Sequence, residues 1–142
     1  MKLEELSAQD RELVAQATAA RERAYTPYSH FRVGAALVTG TGRVFHGCNI
    51  ENASFGLTNC AERTALFSAV AAGEHDIQTI AVVADTESLT TPCGACRQVM
   101  VELAPKARVY VANLKGEVLA TTTRDLLPGA FTTDELQQGK GR

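Results

Sequence analysis

Ile77-Gln78-Thr79-Ile80-Ala81-Val82-Val83-Ala84 decides how this 142-residue chain folds. Only Gln78 and Thr79 interrupt the apolar run, and its length suits a strand buried on both faces, the signature of a sheet covered by helices. The flanks supply those helices. Upstream, Cys60 to Ala72 predicts a helix capped by Asn59 and ended by Gly73. Downstream, past a loop from Thr86 to Thr91, Pro92 is placed as the first residue of a helix reaching about Leu103.

Further out, Val33–Thr39 and Arg43–Ile50 read as strands joined at Gly40-Thr41-Gly42. Arg108–Ala112 and Glu117–Thr121 read as two more around an Asn113–Gly116 turn. Residues 7 to 24 predict a helix, with Ser7 as cap, Asp10 three residues on, and Leu13, Ala17, Ala20 and Ala24 on one stripe. Pro27 stops it, and Tyr25 to Phe31 is a loop. Glu51–Thr58 is a polar loop, Leu126–Gly129 a connection, Thr132–Gln138 a short helix, and Gly139–Arg142 a frayed tail. The order α-β-β-α-β-α-β-β predicts an α/β fold, one sheet of about five strands with helices packed on it. With no repeat and no linker, residues 1–142 are expected to form a single domain.

Composition narrows the function. Fourteen Lys and Arg against 16 Asp and Glu give a net charge of −2, which argues against a polyanion binder. No apolar run is long enough for a bilayer, and the acidic Met1–Glu5 start lacks a signal-peptide core. The expectation is a cytoplasmic chain with neither a membrane nor a nucleic-acid partner. In a reducing compartment, Cys48, Cys60, Cys93 and Cys96 point to metal or redox chemistry rather than disulfides.

Asn59-Cys60-Ala61-Glu62-Arg63 and Thr91-Pro92-Cys93-Gly94-Ala95-Cys96-Arg97-Gln98 each open a predicted helix after a loop. Helix N-termini stabilise thiolates. Cys60, Cys93 and Cys96 gathered there would bind Zn2+ through three ligands and leave one tetrahedral position open, as catalytic zinc requires. Glu62, two residues past Cys60, is placed to shuttle a proton without ligating the metal. Three thiolates around a dication leave a net charge of −1, which would blunt the acidity of a bound water. Arg63, three residues after Cys60, shares its helix face and is the candidate to draw charge off sulfur.

Cys60-Ala61-Glu62 followed by Pro92-Cys93-Gly94-Ala95-Cys96 resembles the zinc signature of the cytidine deaminase superfamily. Phe31–Ala36 resembles the strand entry of its small free-nucleoside members, Gly47–Asn52 their ribose-binding segment, and Leu126–Phe131 their C-terminal element. The likeness runs from about residue 8 to residue 136. It implies a three-layer α/β/α fold with a mixed sheet and one Zn2+ per subunit. It further implies deamination of cytidine and 2'-deoxycytidine to uridine and 2'-deoxyuridine in pyrimidine salvage, and a homotetramer. Carried over residue by residue, it gives zinc to Cys60, Cys93 and Cys96, and the proton shuttle to Glu62. Asn49 and Glu51 take the ribose hydroxyls, with Glu51 accepting two hydrogen bonds. Phe31 and the Ala61 backbone take the pyrimidine. Phe131 is the C-terminal aromatic that stacks in a neighbouring subunit's pocket. Phe55 stands where many relatives carry Tyr.

Other readings stand beside this one. Cys93-x-x-Cys96 alone fits a redox pair. A non-catalytic zinc module needs a fourth ligand, for which Cys48 is the candidate, although in a strand it reads as a small buried hydrophobe. Asn49 and Glu51 taken alone are ordinary polar loop residues, and His30, His46 and His75 lack ligand spacing. An aminohydrolase acting on a cytosine-containing antibiotic would share Pro-Cys-Gly-x-Cys-Arg but not the ribose segment or the Phe131 ending.

Overall fold

The computed structural model describes residues 1–138. The 77–84 run forms strand β3, Ile77–Ala84, at the centre of a five-stranded sheet. The other strands are β1, Val33–Thr39; β2, Val44–Cys48; β4, Arg108–Ala112; and β5, Val118–Thr122. Their order is β2-β1-β3-β4-β5, antiparallel except for the β3–β4 pair, so the sheet is mixed. That parallel pair is joined through helix α3, Gly94–Leu103, the crossover such a pair requires. Helix α1 spans Ala8–Ala20, α2 Ala61–Ala71, α4 Thr123–Leu126 and α5 Thr133–Gln138.

Alternation along the strands divides the core in two. Leu37, Ile80, Val82, Val109 and Val111 face one side with Leu66 of α2 and Met100 of α3. Ala36, Ala81, Val83 and Ala112 face the other with Leu13, Val14 and Ala17 of α1. The result is three layers, α/β/α. Two glycines let the helices come close. A Cβ on Gly34 would lie 2.0 Å from the Ala17 carbonyl oxygen of α1, and one on Gly47 would lie 2.2 Å from the Ala61 carbonyl oxygen of α2. No side chain fits at either place. On the α1 side a polar clamp crosses the layers: the Tyr110 hydroxyl donates to Asp10 at 2.7 Å, and Arg108 lies 3.5 Å from the same oxygen.

Several expectations are corrected at the element ends. The first helix stops at Ala20 and tightens to a 3₁₀ turn over Arg21–Arg23, so Ala24 falls outside the stripe. Ser7 caps it, accepting from the Asp10 N–H at 3.1 Å, while the Asp10 carboxylate turns to Tyr110 rather than back to the cap. The second strand is shorter than predicted, and Phe55–Leu57 forms a 3₁₀ turn inside the polar loop. Neither Asn59 nor Pro92 takes its predicted place: the N-caps of α2 and α3 are Cys60 and Cys93. Thr122 caps an additional short helix, α4, where the connection was expected to begin. The predicted frayed tail, 139–142, lies outside the described residues. Among those described, no helix is long and apolar enough to cross a membrane.

Candidate active site

The site grows from two helix starts held at one end of the sheet. Cys60 and Cys93 occupy the same structural position, the N-cap of α2 and of α3, with extended backbone and no side-chain capping bond. A Ser or Asn there would turn its side chain onto the helix N–H groups; these cysteines leave their sulfurs free. Cys96 follows in the first turn of α3, fully buried. The three Sγ atoms lie within 4.8 Å of one another.

The spacing is that of a metal site. Cys60 Sγ and Cys93 Sγ are 3.7 Å apart. A disulfide needs about 2.05 Å; tetrahedral zinc, with Zn–S near 2.3 Å, places two sulfurs roughly 3.8 Å apart. Cys48 does not join the cluster, and no fourth His, Cys, Asp or Glu does among the described residues. The trio therefore fits one zinc ion with a coordination position to spare.

The electrostatics favour a thiolate at Cys60. The Cys60 thiol is held down at about 5, chiefly by the hydrogen bond with Cys96, against burial and with help from Arg63 and Cys93. The Cys96 thiol is pushed up, first by its bond to Cys60 and then by burial. Zinc binding displaces thiol protons. Arg63 Nη2 donates to Cys60 Sγ at 3.3 Å. Its Nε is buried without a partner, so the guanidinium has a further N–H to offer.

Glu62 sits in the first turn of α2, 5% exposed, with Cys96 Sγ 3.5 Å from Oε2. Burial raises its pKa, its own backbone N–H pulls the other way, and the charge on Cys60 adds to the rise. A carboxyl in such surroundings can hold a proton and give it back.

A cavity of about 200 Å³ opens over this cluster. Phe31, Asn49 and Ala61 line it with Cys60, Glu62 and Cys93. Asn49 is already at work: its Oδ1 accepts from the Val33 N–H at 2.9 Å, and its Nδ2 donates to the Phe31 carbonyl at 2.7 Å. One acceptor and one donor remain. Glu51 lies in an adjoining groove of about 310 Å³ with Tyr28, Ser29 and Phe55, and Thr58 lines both spaces. Its carboxylate accepts from the N–H groups of Tyr28 (3.0 Å) and Ser29 (3.1 Å), and from the Ser29 hydroxyl. These bonds, the Ser29 hydroxyl foremost, lower its pKa. With three donors in place, about one of four lone-pair positions is left, where the sequence reading assigned two hydroxyl bonds.

Phe131 lines neither space; it is 59% exposed, and its carbonyl accepts from Gln98 Nε2 at 2.8 Å. Phe55, 74% exposed, meets the Tyr28 ring edge-on at 5.9 Å. Ser29 and Thr58 belong to the site without having been singled out in the sequence. Only Ser29 carried a signal, standing two residues before Phe31 in a turn-rich loop. A separate cavity of about 490 Å³ between α3 and residues 127–134 contains none of these groups.

An α/β/α sandwich with three thiols and a buried carboxyl where two helices begin belongs to the class of zinc-dependent hydrolases. Comparison narrows the class. Residues 7–112 match the family described as the cytidine and deoxycytidylate deaminase zinc-binding region. A cytidine deaminase of Halalkalibacterium halodurans is 58% identical over 125 residues, covering 87% of this chain and 95% of that protein. One from Sporosarcina psychrophila is 54% identical, with coverage of 87% and 92%. The crystal structure of cytidine deaminase from Burkholderia pseudomallei superposes with a TM-score of 0.84 at 57% identity, covering 89% of this chain and all of that one (100%). The chain belongs to the cytidine and deoxycytidylate deaminase family, and its cofactor is zinc.

Proposed function

We propose that this enzyme hydrolytically deaminates cytidine and 2'-deoxycytidine to uridine and 2'-deoxyuridine, as free nucleosides, in cytoplasmic pyrimidine salvage. One observation carries the reading. A buried Glu62 stands beside three clustered thiols in a cavity that Phe31 and Asn49 also line.

Cys60, Cys93 and Cys96 would hold one Zn2+, which when bound supplies the Lewis acidity that makes water a nucleophile at neutral pH. Arg63, donating to Cys60 Sγ, offsets the negative charge that three thiolates leave over a dication. Glu62 moves the protons: a carboxylate oxygen takes one from the attacking water and gives it to N3 of the pyrimidine, then carries the second, from the new C4 hydroxyl, to the departing amine. In sum, water oxygen joins C4, the bond from C4 to nitrogen breaks, and ammonia leaves.

The pyrimidine goes to the inner cavity, against Phe31 and the Ala61 backbone. The ribose points to the adjoining groove, where Asn49 offers its spare donor and acceptor, and Glu51 its remaining lone pair. A carboxylate there repels phosphate, which favours nucleosides over nucleotides. Four free cysteines, three needed as ligands, suit a reducing compartment. Exposed Tyr25, Ile50 and Phe55, together with a Phe131 that does not reach its own chain's pocket, support a homotetramer in which neighbours complete each site.

An ultraviolet assay with cytidine, 2'-deoxycytidine, cytosine and CMP tests the reading. The two nucleosides are turned over, cytosine and CMP are not, and a chelator stops the reaction until zinc is returned. Glu62→Gln keeps its zinc and loses roughly a thousandfold in kcat. Preference for CMP, or full activity in that variant, would sink the reading.

A further inference from the structure

The loop from Tyr25 to Phe31 has no regular structure, yet its path is tightly determined. The Glu51 N–H donates to the Tyr25 carbonyl at 2.9 Å, and the Tyr25 N–H to the Asn49 carbonyl at 3.0 Å, fixing where the loop begins. His30 then takes a left-handed backbone, φ 57°, unusual for a residue other than glycine, and the contacts on either side of it must maintain that turn. One of them is Ser29. Its hydroxyl oxygen accepts from the Phe31 N–H at 3.0 Å, and the hydroxyl itself donates to Glu51 Oε2. A serine hydroxyl has one hydrogen to give, and here the carboxylate takes it.

We propose that Ser29 is a positioning residue for nucleoside binding: its hydroxyl, bridging the Glu51 carboxylate and the Phe31 N–H, holds the sugar-facing acceptor and the base-facing ring in register. The proposal rests on the ribose role of Glu51 and the pyrimidine role of Phe31 given above. It adds that the two are one mechanical unit, although they line different spaces. Without the hydroxyl, Oε2 is free to turn and the Phe31 N–H loses its partner. Both ends of the substrate then meet groups that have to be ordered at the moment of binding, which weakens affinity.

Steady-state kinetics and zinc content of Ser29→Ala, Ser29→Thr, Glu51→Gln and the double variant Ser29→Ala with Glu51→Gln test this. Ser29→Ala raises KM for cytidine by about tenfold, the size of a lost hydrogen bond to a charged group, with most of the loss in kcat/KM residing in KM. Ser29→Thr, which keeps the hydroxyl, brings KM back to within about threefold of the parent. Because part of what Ser29 does passes through Glu51, adding Ser29→Ala to Glu51→Gln raises KM by clearly less than the roughly tenfold it causes in the parent. An unchanged KM in Ser29→Ala beside a raised KM in Glu51→Gln overturns the Ser29 proposal alone, as does full additivity of the two substitutions. Loss of zinc from Ser29→Ala also overturns it, by revealing a merely structural role. An unchanged KM in Glu51→Gln removes the ribose assignment itself, and this inference with it.

Discussion

Arg63 touches the candidate site without lining its cavity. Its Nη2 rests on Cys60 Sγ, and that contact is the main reason its own pKa is raised, so it stays charged throughout. Arg63→Ala removes the offsetting charge but no metal ligand. It is expected to lower kcat by about tenfold with zinc retained and the fold unchanged; equal kcat and equal zinc affinity would refute the compensation argument. Legibility at this scale depended on sequence distance. Glu62 and Arg63 were readable because they share the first helical turn with Cys60. The engagement of Glu51 by Ser29 was not, because the partners are 22 residues apart and no local period marks the pairing. The bond from Tyr110 to the Asp10 carboxylate was hidden for the same reason, since the two are 100 residues apart.

At the scale of elements, β3 was legible from end to end because its apolar run admits few other environments. The helix starts were placed to within two residues but assigned the wrong caps. Propensity favours Asn59 at one and Pro92 inside the other, whereas the chain sets Cys60 and Cys93 there, giving up capping bonds to keep two sulfurs free. The close approach of α2 to β2 had no visible sign beyond a glycine in a strand. Gly47→Ala tests it. The added carbon meets helix backbone, which cannot step aside, so the cost is about 3 kcal/mol, the upper end for overpacking. Denaturant unfolding would register it, and loss of less than about 0.5 kcal/mol would show that α2 is freer than its contacts indicate.

Over the whole molecule, the Tyr110–Asp10 clamp ties the first helix to β4 across the chain. Burial, then the hydrogen bond to Asp10, raises the Tyr110 pKa, so the folded protein holds this proton more tightly than the unfolded chain does. The stability it contributes is complete below the unfolded value near 10 and declines as pH rises from there towards the folded value. Tyr110→Phe should therefore cost about 1.5 kcal/mol near neutral pH, with the gap to the parent closing in alkaline buffer; a pH-independent gap would contradict the linkage. The proposed assembly belongs to this scale too: sedimentation at the mass of four chains is expected, and a fully active single chain would refute it. Finally, the contact at Gly47 reaches beyond packing. Asn49 follows two residues later, and the Ala61 carbonyl it abuts sits between Cys60 and Glu62. Main chain against main chain leaves the distance between Asn49 and the Cys60–Glu62 stretch little room to change, a rigid gauge for whatever the cavity between them receives.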